Sequence, residues 1–121
     1  MSMNLNQVVD VTVRSSEAPA SQYKTYILKP NIVSDVNTLT QAMLDVAGAN
    51  TKFVIKYDYT LGENVTIPSN CILEFDGGSI LGASTITGQN TKLINLYRYT
   101  TISANVTKAG TFTEIKGYIE P

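Results

Sequence analysis

Residues 64–95, NVTIPSNCILEFDGGSILGASTITGQNTKLIN, decide the fold. They are short β-branched and apolar runs, broken by Pro68-Ser69-Asn70, Gly77-Gly78, Gly82 and Gly88, and no helical period survives in them. The same texture extends from Lys52 to the C-terminus. Its apolar nuclei are Phe53/Ile55, Val65/Ile67, Leu73/Phe75, Ile80, Ile86, Leu93 or Ile94, Ile102 and Phe112/Ile115. Some of them recur at a coarser step. Ile67 to Ile86 is 19 residues, while Ile72 to Ile94 and Ile80 to Ile102 are 22 each. That spacing suggests a coil of about 20 residues repeated roughly three times. Such coils, with small polar residues at their corners, suit a short parallel β-helix in which each turn stacks on the next at about 4.8 Å. The alternative is an antiparallel β-sandwich. It calls for hairpin dipeptides, and Asp76-Gly77 is the only one in the segment.

Toward the N-terminus the pattern changes. Residues 34–48, SDVNTLTQAMLDVAG, read as the one α-helix, with Ser34 as N-cap, Asp35 in the first turn and Gly48 at the left-handed C-terminal position. Val36, Leu39, Met43 and Val46 or Ala47 fall on one stripe, which must lie on something apolar. Tyr23 to Lys29 reads as a strand ended by Pro30. Val9, Val11 and Val13 alternate with Asp10 and Thr12 as a further strand, followed by the loop-forming SSEAPAS of residues 15–21. The expected organisation is an N-terminal arm, residues 1–30, and a capped β-helix, residues 31–121.

Composition narrows the function. The 121 residues are 43% apolar and 16% charged with net charge −1, the profile of one folded domain. There is no histidine, which excludes imidazole bases, Ser/His/Asp or Cys/His pairs and histidine-bound zinc within this chain. Nine basic residues stand singly against ten acids, so no basic stripe collects phosphates and nucleic acid is not an expected partner. The lone Cys71 cannot form an internal disulfide, the start MSMNLNQVVDV carries no signal-peptide pattern, and no apolar run is long enough to span a membrane.

The run NVTIPSNCILEFDGGSILG followed by STITGQNTKLIN resembles the opening coils of the pectate-lyase-like, right-handed parallel β-helix proteins of Bacteroidetes and of their crAss-like tailed phages. The TIP, apolar strand, FDGGSI order carries the resemblance. In that family a helix like residues 34–48 caps the N-terminal end of the solenoid, and a segment like GTFTEIKGYIEP closes the opening region before a longer body. This chain stops at Pro121. The resemblance therefore implies a non-enzymatic structural module of a phage virion, such as a head fibre component. It would be assembled in the host cytoplasm as a homotrimer with capsid or other virion proteins as neighbours. The alternatives are a carbohydrate-binding module contacting host surface glycans and an N-terminal fragment of a polysaccharide-degrading enzyme. No cofactor is implied.

Several residues are candidates for sites. A solenoid this short leaves backbone unpaired at its ends, so Val9, Val11 and Val13 are expected to dock by strand addition, and the strand Phe112 to Ile119, with Phe112, Ile115 and Ile119, to carry self-association. Tyr57/Tyr59, Tyr97/Tyr99 and Tyr23/Tyr26 stand two or three residues apart. On strands a two-residue step puts both rings on one face, an interface platform. Glu74 and Asp76 would share a face about 7 Å apart, a glycosidase-like spacing. The competing account is that Leu73 and Phe75 point inward and the two acids form the solvated outer row. Asp58 and Glu63 are too scattered for a dedicated calcium loop. The glycines lack the helix and lysine of a phosphate loop and read as tight corners. Cys71, among apolar neighbours, reads as an inert buried thiol. Asn64 and Asn105 match the glycosylation pattern, which a chain this rich in Asn and Thr produces by chance.

Overall fold

A computed structural model of the chain describes residues 22–95 and 101–115. It is a mainly β structure, a parallel β-solenoid of about three turns. The elements in order are β1 (Lys24–Ile27), β2 (Ile32–Val33), β3 (Val36–Leu39), α1 (Gln41–Ala47), β4 (Thr51–Ile55), β5 (Asp58–Leu61), β6 (Val65–Thr66), β7 (Ile72–Phe75), β8 (Ser79–Leu81), β9 (Thr85–Asn95) and β10 (Thr107–Glu114). The main sheet runs β1-β4-β7-β9-β10, with β6 also on β9, and the second sheet runs β2-β3-β5-β8. All pairings between turns are parallel, and only β2 with β3 is antiparallel. The antiparallel sandwich is thereby excluded.

The turn length is set at the main sheet, where Lys52 pairs with Ile72 and Ile72 with Lys92, a step of 20 residues. Steps elsewhere are 21 or 22, as in Asp58 with Ser79 and Ile80 with Ile102. The expected pair Ile80/Ile102 is therefore a true stacked pair. The other two spacings are not. Val65 stacks on Ile86, and Leu73 on Leu93. Ile67 and Ile94 each lie two positions from the expected partner and so keep its face while missing its register.

Alternation along these strands places the core. Phe53, Leu73 and Leu93 stack on one another beneath Tyr26, whose ring meets Phe53 edge-on at 6.0 Å. Ile55 and Phe75 stack beside them, and Tyr59 stacks with Ile80 on the second sheet. Phe53, Tyr59, Ile67 and Ile86 are fully buried. Stacking like on like lets each turn offer the next the apolar surface it needs.

The first turn differs from the expected long helix. Ser34 and Asp35 both have positive φ, 50° and 66°, and form the two-residue turn of the β2–β3 hairpin; Ser34 is no N-cap. Val36–Leu39 is strand, as its β-branched content favours, and α1 begins only at Gln41. Gly48 does end the helix, at φ 75° with its N–H on the Leu44 carbonyl. The apolar stripe shifts accordingly. Leu44 is the buried helix residue, Met43 and Ala47 pack against the core, and Val46 is 71% exposed. Leu44 closes the core at this turn. Residues 24–27, counted with the arm, form β1 and pair with β4, so they belong to the solenoid's sheet. The C-terminal strand starts at Thr107, ahead of the expected Phe112.

Candidate functional site

One corner of each turn is built by the same tetrapeptide. Asn50-Thr51-Lys52-Phe53, Asn70-Cys71-Ile72-Leu73 and Asn90-Thr91-Lys92-Leu93 lie 20 residues apart. The three asparagines all adopt left-handed backbone, at φ 57°, 59° and 56°. Their side chains form a ladder: Asn70 Nδ2 donates to Asn50 Oδ1 at 2.7 Å and Asn90 Nδ2 to Asn70 Oδ1 at 3.3 Å. Asparagine tolerates this conformation because its short amide bonds locally, and here it also bonds to the turns above and below. The following Thr51, Cys71 and Thr91 are all buried. Thr51 Oγ1 and the Cys71 thiol both donate to the Gly48 carbonyl.

Burial pushes the Cys71 thiol pKa up, against a smaller lowering by the Thr51 and Asn50 backbone N–H groups and by Lys24. The thiol is held protonated and is a poor nucleophile. Thus the lone cysteine is a corner residue, as expected.

The first turn is fastened to the second by side chains acting as backbone. Gln41 Oε1 accepts the Thr66 N–H at 2.7 Å while its Nε2 donates to the Thr66 carbonyl at 2.8 Å, so one amide replaces the strand that α1 displaced. The Thr40 cap makes no side-chain bond, and Glu63 of the next turn instead accepts the Gln41 N–H at 2.8 Å. A carboxylate beside a helix N-terminus is favourable electrostatically. Asn37 works similarly on the second sheet, with Oδ1 accepting the Asn31 N–H and Nδ2 donating to the Asp58 carbonyl. Sequence reasoning missed all three residues, since each acts through a partner about 20 positions away or in a hairpin it did not predict.

The carboxylate pair belongs to the outer face. Lys52 meets Glu74 at 3.3 Å and Lys56 meets Asp76 at 2.8 Å, each pair linking successive turns. Leu73 and Phe75 are buried between them. Such ion pairs sit on a solvated surface and are worth little individually. Glu74 and Asp76 have no pocket between them among the described cavities. The depression lined by Leu93, Asn95, Thr101, Glu114 and Ile115 lies at the far end of the main sheet. Among the described residues no group of three or more Cys, Asp or Glu side chains could hold a metal ion. Asp58 accepts from the Ser79 hydroxyl at 2.7 Å.

The tyrosine platform is not formed by the described pairs. Tyr57 precedes β5 and is half exposed, whereas Tyr59 within β5 is fully buried, so the two-residue step does not put them on one face. The Tyr59 hydroxyl has no hydrogen-bond partner. The nearby Asn37 amide, already bonded to Asn31 and Asp58, only partly offsets the effect of burial and of Tyr57, and the Tyr59 pKa is raised. Tyr26 packs on Phe53, while the Tyr23 hydroxyl donates to Asn70 Oδ1 at 3.5 Å and accepts from Lys92 Nζ at 3.4 Å. Tyr97, Tyr99, Ile119, Val9, Val11 and Val13 lie outside the described residues.

Interaction surfaces are concentrated at the ends. Of the large apolar residues left exposed, Ile27, Ile32, Val33, Val36 and Val46 all belong to the first turn. At the opposite end β10 pairs only with β9 among the described residues, leaving an eight-residue edge. Phe112 on that strand packs partly against the core, and Ile115 just beyond it is 37% exposed. The chain matches no protein-family model, no curated protein and no solved structure.

Proposed function

We propose that this chain is a non-enzymatic assembly module that joins copies of itself through the β10 end of its solenoid. The homotrimeric fibre component of a tailed phage virion, with capsid protein as a neighbour, is the setting its sequence resemblance supplies. The observation that carries the reading is the eight-residue β10 edge, whose outward N–H and C=O groups have no strand beside them among the described residues. A long unpaired edge is a template for another strand. The acids that could have argued for catalysis are engaged with lysines of the adjacent turn, which supports a structural role over a glycosidase. The tyrosine rings offer no paired platform for sugar stacking among the described residues, and this weighs against glycan binding.

The test is the mass of the full chain by light scattering across micromolar concentrations. A mass near three times 13.2 kDa is expected. A species that stays at 13.2 kDa overturns the proposal.

A further inference from the structure

The first turn is closed to strand pairing on two of its three sides. On one side α1 occupies the strand position and offers no edge. On the second, β2 covers β3 antiparallel, so a parallel strand from another solenoid cannot continue that sheet in register. The third side is β1, the terminal strand of the main sheet. Lys24 and Leu28 donate their N–H groups to β4, at the Asn50 and Val54 carbonyls. By the two-residue period of a strand, the Thr25 and Ile27 amides point away from β4. Ile27, Ile32 and Val33 are each at least half exposed on the strands of this turn.

We propose that residues 8–13 of the same chain, VVDVTV, add to β1 as an antiparallel strand and seal this end of the solenoid. The chain outside the described residues enters directly at β1, since residues 1–21 precede it. Residues 8–13 alternate like a strand with one apolar face, and they match the four-residue edge in length. The ten residues 14–23 join them to β1 and reach about 33 Å when extended, where a reversal of direction needs only about two to five residues. A tether of that length holds the segment at roughly millimolar effective concentration, well above a second copy in micromolar solution. The consequence is polarity. With the β1 edge filled, copies cannot stack head-to-tail into an open filament, and association is confined to the β10 end.

Hydrogen exchange on the full chain tests this independently of oligomer mass, because the readout is the β1 amides. The Thr25 and Ile27 amides are expected to exchange at least about 100-fold more slowly in the native chain than in Val11→Pro or Thr12→Pro, whichever removes the donor facing β1. Unchanged protection of Phe53 and Leu73 in the variants shows that the solenoid remains folded. Three results overturn the proposal: rapid exchange of Thr25 and Ile27 in the native chain, protection that survives both proline variants, or protection that grows with protein concentration. The last would assign the edge to a second copy.

Discussion

The asparagine ladder makes a prediction that separates backbone conformation from side-chain bonding. Asn70 stands at the centre, with a bond to Asn50 at 2.7 Å, one from Asn90 at 3.3 Å and a weaker one from Tyr23. It also sits at φ 59°, where a Cβ-bearing residue without a local hydrogen bond is strained by about 1 kcal/mol. Asn70→Gly removes the ladder and keeps the conformation accessible. Two part-exposed hydrogen bonds, each worth about 0.5–1 kcal/mol, set its cost at roughly 1–2 kcal/mol. Asn70→Ala removes the ladder and adds the strain, for roughly 2–3 kcal/mol. Asn90→Gly loses one ladder bond and should cost about half as much as Asn70→Gly. Urea unfolding followed by far-UV circular dichroism reads all three, provided the slope m is unchanged. Equal losses for Asn70→Gly and Asn70→Ala would refute the left-handed conformation as an energetic constraint. An Asn90→Gly loss as large as that of Asn70→Gly would refute the ladder.

Other perturbations probe the turns and the buried polar groups. A Cβ on Gly78 would collide with the Tyr57 backbone, its carbonyl oxygen and its nitrogen at 2.5 Å, so Gly78→Ala should cost roughly 2–4 kcal/mol and lower the thermal midpoint strongly. Tyr59→Phe deletes a buried hydroxyl with no partner and is expected to leave stability unchanged or raise it by about 1 kcal/mol in the same urea assay; a loss above that size would mean the hydroxyl is bonded. Cys71 and Tyr59 both have pKa values raised in the fold, so the native state holds these protons more tightly than the unfolded chain. Stability is therefore fully present at neutral pH, begins to fall as pH passes 9.0 for the thiol and 10.0 for the phenol, and is lost further on the alkaline side. The fall near pH 9 should flatten in Cys71→Ala, measured by the urea midpoint against pH.

Solenoid architecture was legible because its signals are local. Short apolar runs, glycine corners at 77–78, 82 and 88 and the absence of helical period after Lys52 follow from strand alternation and tight turning alone. Register was not, because the eye follows large apolar residues, and these tolerate a two-residue slip that keeps the face. Ile67 with Ile86 is such a slip, for the ladder pairs Ile86 with Val65. The reliable marker was polar and small. Asn50, Asn70 and Asn90 keep a strict 20-residue step because left-handed backbone and an amide ladder leave no freedom in their placement. The helix was misplaced for a related reason. Ser34-Asp35 satisfies both a helix N-terminus and a two-residue turn, and the β-branched Ile32, Val33 and Val36 on either side, which favour a hairpin, were outweighed in the reading by one apolar stripe.

The candidate surfaces were legible only as residue types, and their roles depend on which part of a turn each occupies. Tyr57 and Tyr59 differ by two positions, yet one is in a corner and the other in a strand, so alternation governs only the second. Glu74 and Asp76 do share a strand's outer face, and the lysines opposite them come from the preceding turn, 20 or more residues away. In a stacked fold every side chain on an interior turn has neighbours on both sides supplied by the same repeating pattern. Only the first and last turns lack one of those neighbours. Exposed apolar residues gather at the first turn and the long open edge at the last for that reason, and any partner this chain takes should meet it at an end rather than along its flank.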